Sequence, residues 1–120
     1  MHIRLLAVGE RQPAWVDDAF RDYTGRFPPQ WKVRLDVVAT AKRGKSDDAQ
    51  RAIETEGEQI LGRIPPDEQV VLLDDKGRQP ASRDLAQRLS AWQADGRDLC
   101  FVIGGPDGVS ESCRGRADFV

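Results

Sequence analysis

Cysteine, histidine and long apolar runs are all scarce in this sequence, and each scarcity removes a class of protein. Cys100 and Cys113 are the two cysteines, too few for a disulfide scaffold, and with His2 as the one histidine no Cys/His zinc constellation can be assembled. The same lone histidine, at the start of the first apolar segment, argues against a Ser/His/Asp or Cys/His catalytic set. Apolar runs such as Val70 to Leu73 stop far short of the ~20 residues that cross a bilayer, and Met1-His2-Ile3-Arg4 leads into no cleavable apolar region. A soluble, cytoplasmic protein without a metal or a membrane span is the expectation. An excess of one charge is also missing: 18 Lys and Arg stand against 20 Asp and Glu, a formal net charge of −2. Global charge therefore does not wrap this chain in nucleic acid, although a local basic patch remains open. What is present is 120 residues with 39% apolar side chains. That is enough for a single domain, 1–120, burying roughly 65% of the unfolded chain's surface.

Periodicity divides the chain into alternating elements. Ile3 to Val8 has the pattern of a buried strand closed by Gly9, and Pro13 then suits the first turn of a helix. Val16, Phe20, Tyr23 and Phe27 recur at helical spacing and are expected in the core until Pro28-Pro29 stops the helix. Lys32 to Thr40 alternates as a second strand. Ser46 offers an N-cap for a second helix whose expected inner face is Ala49, Ile53, Gly57, Ile60 and Ile64, with Gly57 marking a close approach to a neighbour. Gln69 to Asp74 fits a central strand. A third helix capped by Ser82 carries Leu85, Leu89 and Trp92, and Gly96 stops it. Leu99 to Ile103 is a fourth strand running into Gly104-Gly105-Pro106-Asp107-Gly108, with a short helical turn from Ser110 to Arg116. Trp15, Trp31 and Trp92 are expected to pack. The order β-α-β-α-β-α-β predicts an α/β fold, a mostly parallel sheet with helices on both faces. Ala117-Asp118-Phe119-Val120 has the look of a further element beginning.

Ligands of open α/β sheets sit beyond the carboxyl ends of the strands, which directs attention to the segments after Val8, Thr40, Leu73 and Ile103. The glycines after Ile103 would let a ligand approach the backbone, or they form an ordinary tight turn; they match neither a P-loop nor a G-x-G-x-x-G fingerprint. Lys42, Arg43 and Lys45 form a compact basic loop suited to phosphate oxygens, or a solvated surface loop. Asp74 and Asp75 suit a ribose or a general base, and without a partner residue they read as solvated turn carboxylates.

Taken together, certain stretches resemble one family. They are Leu6-Ala7-Val8-Gly9, Lys42-Arg43-Gly44-Lys45, Glu56-Gly57-Glu58-Gln59, Leu73-Asp74, Asp95-Gly96-Arg97-Asp98 and Ile103-Gly104-Gly105-Pro106-Asp107-Gly108, in that order across essentially the whole chain. The chain resembles the ribosomal RNA large subunit methyltransferase H family, SPOUT-class enzymes with an alpha/beta knot. The resemblance implies methyl transfer from S-adenosylmethionine to N3 of a pseudouridine in large-subunit ribosomal RNA within the ribosome, by a homodimer. It implies that Leu73 and Gly104 contact the cofactor and that the loop through Gly105 and Gly108 forms one wall of its site. The family's chain continues past the position of Val120 with a further cofactor-binding loop and a helix threaded into a trefoil knot. Its tail carries a Pro-His segment, an arginine and a terminal His and Tyr near the target base. On that comparison this chain lacks the knot-forming C-terminal segment, no general base is assigned, and the 120 residues are expected to be inactive or impaired. Two alternatives stand beside this reading: an α/β module that only binds RNA or another subunit, and a flavodoxin-like nucleotide-binding domain. Gly9-Glu10-Arg11-Gln12-Pro13 is a poor phosphate loop for the latter.

Overall fold

A computed structural model describes residues 1–9, 12–41 and 48–120. Eight elements follow one another: β1 (His2–Val8), α1 (Ala14–Thr24), β2 (Lys32–Val38), α2 (Asp48–Gly62), β3 (Gln69–Leu73), α3 (Ser82–Asp95), β4 (Leu99–Ile103) and α4 (Glu111–Arg116). The strands form one sheet in the order β2-β1-β4-β3, and every pairing is parallel. This is the α/β architecture expected from the alternation of elements. Among the described residues, no helix is long and apolar enough to cross a membrane.

Handedness decides which helix covers which face. The crossovers through α1 and α3 step along the sheet in one direction and the crossover through α2 steps in the other, so right-handed connections put α1 and α3 on one face and α2 on the opposite one. The core lies under α2 and α4, where Leu6, Val8, Val38, Val70, Leu72, Cys100 and Val102 of the sheet meet Ile60 and Cys113. These strand positions alternate with residues on the other face, where Ile3, Val71 and Leu99 are buried and Leu5, Ala7, Leu35, Val37, Phe101 and Ile103 are buried only in part or exposed. Burial pushes the Cys100 thiol up to about 11, which leaves it neutral and unreactive inside the core.

Several expectations need correction. The Val16, Phe20, Tyr23, Phe27 stripe is not core: α1 buries no residue, and Tyr23 and Phe27 are exposed. Trp15 does not pack either, being 70% exposed. The buried row of α2 is Ala52, Glu56 and Ile60, with Gly57 beside it, so the helix is rotated from the expected face because Glu56 finds a partner inside. Its expected cap, Ser46, lies outside the described residues. Ser82 opens α3 from within, the N-cap being Ala81 without a side-chain cap. β3 is the last of the four strands and not a central one; its outer side is met by the segment 118–120, through Leu72 N–H to the Phe119 carbonyl at 2.8 Å and Asp118 N–H to the Val70 carbonyl at 2.8 Å. Val70 and Leu72 are buried in the cluster with Ile60 of α2 and Cys113 of α4, while Val71, on the opposite face, is buried beside the bridge to Phe119.

Gly57 does mark a close approach. A Cβ there would stand 2.3 Å from Ser110 Oγ, and the same Ser110 hydroxyl caps α4 by accepting from Cys113 N–H at 3.2 Å. A side chain at position 57 would therefore push apart the contact that seats α4.

Candidate functional site

The carboxyl ends of β3 and β4 lie side by side, with Leu73 in register with Ile103. The loop after Ile103 turns back at once. Gly108 N–H donates to the Gly105 carbonyl at 3.1 Å, closing a turn with Pro106 and Asp107 at its corner, and Gly108 holds a φ of 90°, which glycine adopts without a steric penalty. A Cβ at Gly104 would lie 2.7 Å from Val109 Cγ1 and 3.0 Å from the Gly108 carbonyl oxygen, so the fold of this loop depends on glycine there. The loop is thus a tight turn in which neighbouring atoms demand glycine at 104 and 105, while Gly108, with nothing within 4 Å of its Cβ position, leaves open space beside the backbone.

A cleft of about 470 Å³ runs between the two loops, and Leu73, Gly104, Gly105 and Gly108 all line it together with Asp74 and Arg114. The structure thus brings the four expected cofactor residues to one place. Leu73 stands 50% exposed at the lip, an apolar side chain that a ligand would cover. A second cleft of about 630 Å³ opens on the other side of the same glycine loop, against Gly9, Gln12 and Thr40. It sits where β1 and β4 adjoin and the crossovers diverge, so Gly104 and Gly105 form the partition between two openings at the switch point. Among the described residues no cluster of His, Cys, Asp or Glu could hold a metal ion.

Asp74 is not the solvated carboxylate expected from the sequence. Its side chain is nearly covered and takes a hydrogen bond from Arg114 of α4. That hydrogen bond holds the Asp74 carboxyl below its ordinary value, against the opposing effect of burial. A carboxylate so paired is a poor proton acceptor, and its evident role is to pin the end of β3 to α4. Asp75 is exposed, in keeping with a solvated turn residue.

Glu56 is the residue that sequence reasoning missed. It is 2% exposed, and its Oε2 accepts from Ala41 N–H at 2.9 Å. Its Oε1 stands 2.9 Å from where a Cβ at Gly105 would lie. One buried carboxylate thus touches both the glycine loop and the start of the segment carrying Lys42, Arg43 and Lys45. Those three cations lie outside the described residues. A signal existed: Ala52, Glu56 and Ile60 are spaced by four, which puts the glutamate in an apolar row.

The chain matches the family model described as "Predicted SPOUT methyltransferase" over residues 1–120. It is also similar to the ribosomal RNA large subunit methyltransferase H of Thioalkalivibrio sulfidiphilus (strain HL-EbGR7), at 47% identity over 120 residues, which is 100% of this chain and 77% of that relative.

Proposed function

The chain belongs to the SPOUT methyltransferase family, and on that premise we propose that it takes part in methyl transfer from S-adenosylmethionine to N3 of a pseudouridine in large-subunit ribosomal RNA. The observation that carries the reading is the convergence of Leu73, Gly104, Gly105 and Gly108 on one cleft at the carboxyl end of a parallel sheet. The cleft fits the cofactor's chemistry. Its volume is within the range that takes a nucleoside-sized ligand, Leu73, Ile103 and Val109 offer apolar cover for a purine, and the glycine loop brings backbone donors and acceptors to the rim without side chains in the way.

When bound, S-adenosylmethionine supplies an electrophilic methyl group on a sulfonium. The protein's share is then mostly positioning: holding donor and acceptor in line at near-attack distance, in a cleft that excludes water. Leu73 and Ile103, in register at the strand ends, would hold one side of the ligand, and the Asp74–Arg114 pair fixes the loop that carries Leu73. The uracil-ring nitrogen must also lose its proton. Asp74 does not serve as the base, since it is already committed to Arg114. Lys42, Arg43 and Lys45 are proposed to hold RNA phosphates. The exposed aromatics of α1 and Leu35 are proposed to face a second copy of the chain, which accounts for apolar side chains left in water.

The resemblance assigns a further cofactor loop to sequence beyond the segment matched by these 120 residues. The test is nucleoside mass spectrometry on large-subunit RNA incubated with cofactor and either the 120 residues or the same sequence joined to the family's C-terminal segment. 3-Methylpseudouridine formed by either protein supports the reading. A methyl group on another nucleotide overturns the assigned target, and no methyl transfer by either protein overturns the reading.

A further inference from the structure

Outside this cleft, one cluster of side chains is unused by the proposed mechanism. The segment 118–120 runs beside β3, and the ring of Phe119 lies edge-on to Trp92 of α3 with centroids 5.9 Å apart. Two guanidinium groups lie over that same ring: Arg88 of α3 with its Cζ 4.3 Å from the centroid, and Arg78 with its Cζ at 5.2 Å. Among the described residues neither arginine is in an ion pair with a carboxylate, whereas Arg4, Arg34, Arg97, Arg114 and Arg116 all are. The two open onto a cleft of about 510 Å³ that also presents Gln79, Gln87 and one carboxylate, Asp84. From 75 to 88 the sequence carries four cations, Lys76, Arg78, Arg83 and Arg88, against two acids, in a chain whose net charge is −2.

We propose that Arg78 and Arg88, held over Phe119, form a second RNA-binding surface that takes the phosphodiester backbone of the substrate strand. The inference rests on the RNA substrate proposed above. Stacking on an aromatic ring occupies the flat face of a guanidinium and leaves its N–H edge, the part that forks onto a phosphate, directed elsewhere. The ring is itself anchored, by Leu72 N–H to the Phe119 carbonyl at 2.8 Å and Phe119 N–H to the Val70 carbonyl at 3.2 Å. The two cations are thus partly ordered before RNA arrives, which lowers the entropy cost of binding. Their placement suits the reaction. Gly77 N–H closes a turn onto the Asp74 carbonyl at 2.9 Å, and Arg78 follows that turn directly, so the surface begins where the wall of the Leu73 cleft ends. A strand held by Arg78 and Arg88 passes beside the lip at which Leu73 is exposed. Unpaired bases of such a strand can also stack on the guanidinium planes, as single-stranded RNA commonly does with arginine.

The experiment is fluorescence anisotropy of a fluorescein-labelled oligouridylate over a series of salt concentrations. Four proteins are compared: the unmodified chain, R78A/R88A, R78K/R88K and K42A/R43A/K45A. For R78A/R88A the expected loss of affinity is about tenfold at moderate salt, with a salt slope shallower by about 1.4 units at ~0.7 per lost contact. R78K/R88K keeps the charge and loses the fork, so its slope stays near that of the unmodified chain while its affinity falls. A purely structural role for the two arginines would lower thermal stability and leave the salt slope alone. If R78A/R88A binds with unchanged affinity and slope while the loop variant does not, this surface is overturned and the RNA reading stands. If the unmodified chain binds no oligouridylate even at low salt, both are overturned.

Discussion

On one face of the sheet Leu6, Val38, Leu72 and Cys100 are sealed under α2 and α4, whereas on the other Ile3, Val71 and Leu99 are buried but Leu35 is 40% exposed and the covering helices α1 and α3 bury no residue of their own. Composition does not explain the difference. The open face carries Leu5, Ala7, Val37, Phe101 and Ile103, as apolar as the residues beneath α2. Cover explains it: between α1 and the sheet there is a cavity of about 630 Å³ reaching from Leu35 to Gly104. Folding stability is therefore expected to reside on the sealed face and around Ile3, Val71 and Leu99, leaving the part of the open face near α1 and Leu35 available for association. The glycine loop sits at the carboxyl edge where the two faces meet, with the buried Glu56 carboxylate packed against Gly105 from the sealed side.

Paired truncations across the sheet test this division most strongly. Leu72→Ala should cost about 2 to 5 kcal/mol, because a fully buried side chain leaves a cavity, while Leu35→Ala should cost under about 1 kcal/mol. Urea unfolding measures both, and similar losses would erase the distinction between the faces. Next in size, Gly57→Ala should destabilise by roughly 1 to 3 kcal/mol through overpacking against Ser110, despite alanine's better helix propensity. A gain in stability would mean that α4 is not seated as described. On the open face, Trp15→Ser with Tyr23→Ser should change folding free energy by no more than about 0.5 kcal/mol each. The same pair should reduce self-association in sedimentation velocity, and unchanged association would remove these aromatics from the contact.

How much of this was legible in the sequence follows the same division. Element order and sheet type were readable, because strands of five to seven residues alternating with amphipathic helices leave few topologies. The α1 stripe misled because periodicity reports which side of a helix is apolar and says nothing about what covers it. Glu56 misled in the opposite sense, since a charged residue is assigned to solvent unless a partner is known. Its partner, Ala41 N–H, is 15 residues away and becomes adjacent only after folding. Asp74 was undervalued for the same reason, its partner Arg114 being 40 residues off. The segments after Leu73 and Ile103 were marked because strand ends are visible locally and the switch-point rule converts them into a place, whereas the roles of Leu73, Gly104, Gly105 and Gly108 came from the family resemblance.

A smaller effect concerns the carboxylates at the two ends of β3. Asp74 has a folded pKa below its ordinary 3.8 because of Arg114, so its contribution to stability is present above that value and is lost as pH falls through the folded one. Glu68 has a folded pKa raised above 4.5, chiefly by burial and in spite of Arg4, so its contribution is full below 4.5 and declines as pH rises through the folded value. In urea unfolding across acidic pH, Arg114→Gln should flatten the loss of stability below pH 3.8, and Glu68→Gln should remove the opposing decline above pH 4.5. Unaltered pH profiles would show that neither group titrates as its surroundings dictate.

The central claim is that the β3/β4 cleft is where the cofactor is held, and it is tested most directly by amide chemical-shift mapping as S-adenosylmethionine is titrated into the isotope-labelled chain, a measurement that registers weak binding. The account predicts the largest shifts at Leu73, Gly104, Gly105 and Gly108, with Leu35 and Tyr23 on the open face unmoved. Shifts centred on Gly9, Gln12 and Thr40 instead, or none at millimolar cofactor, would contradict it.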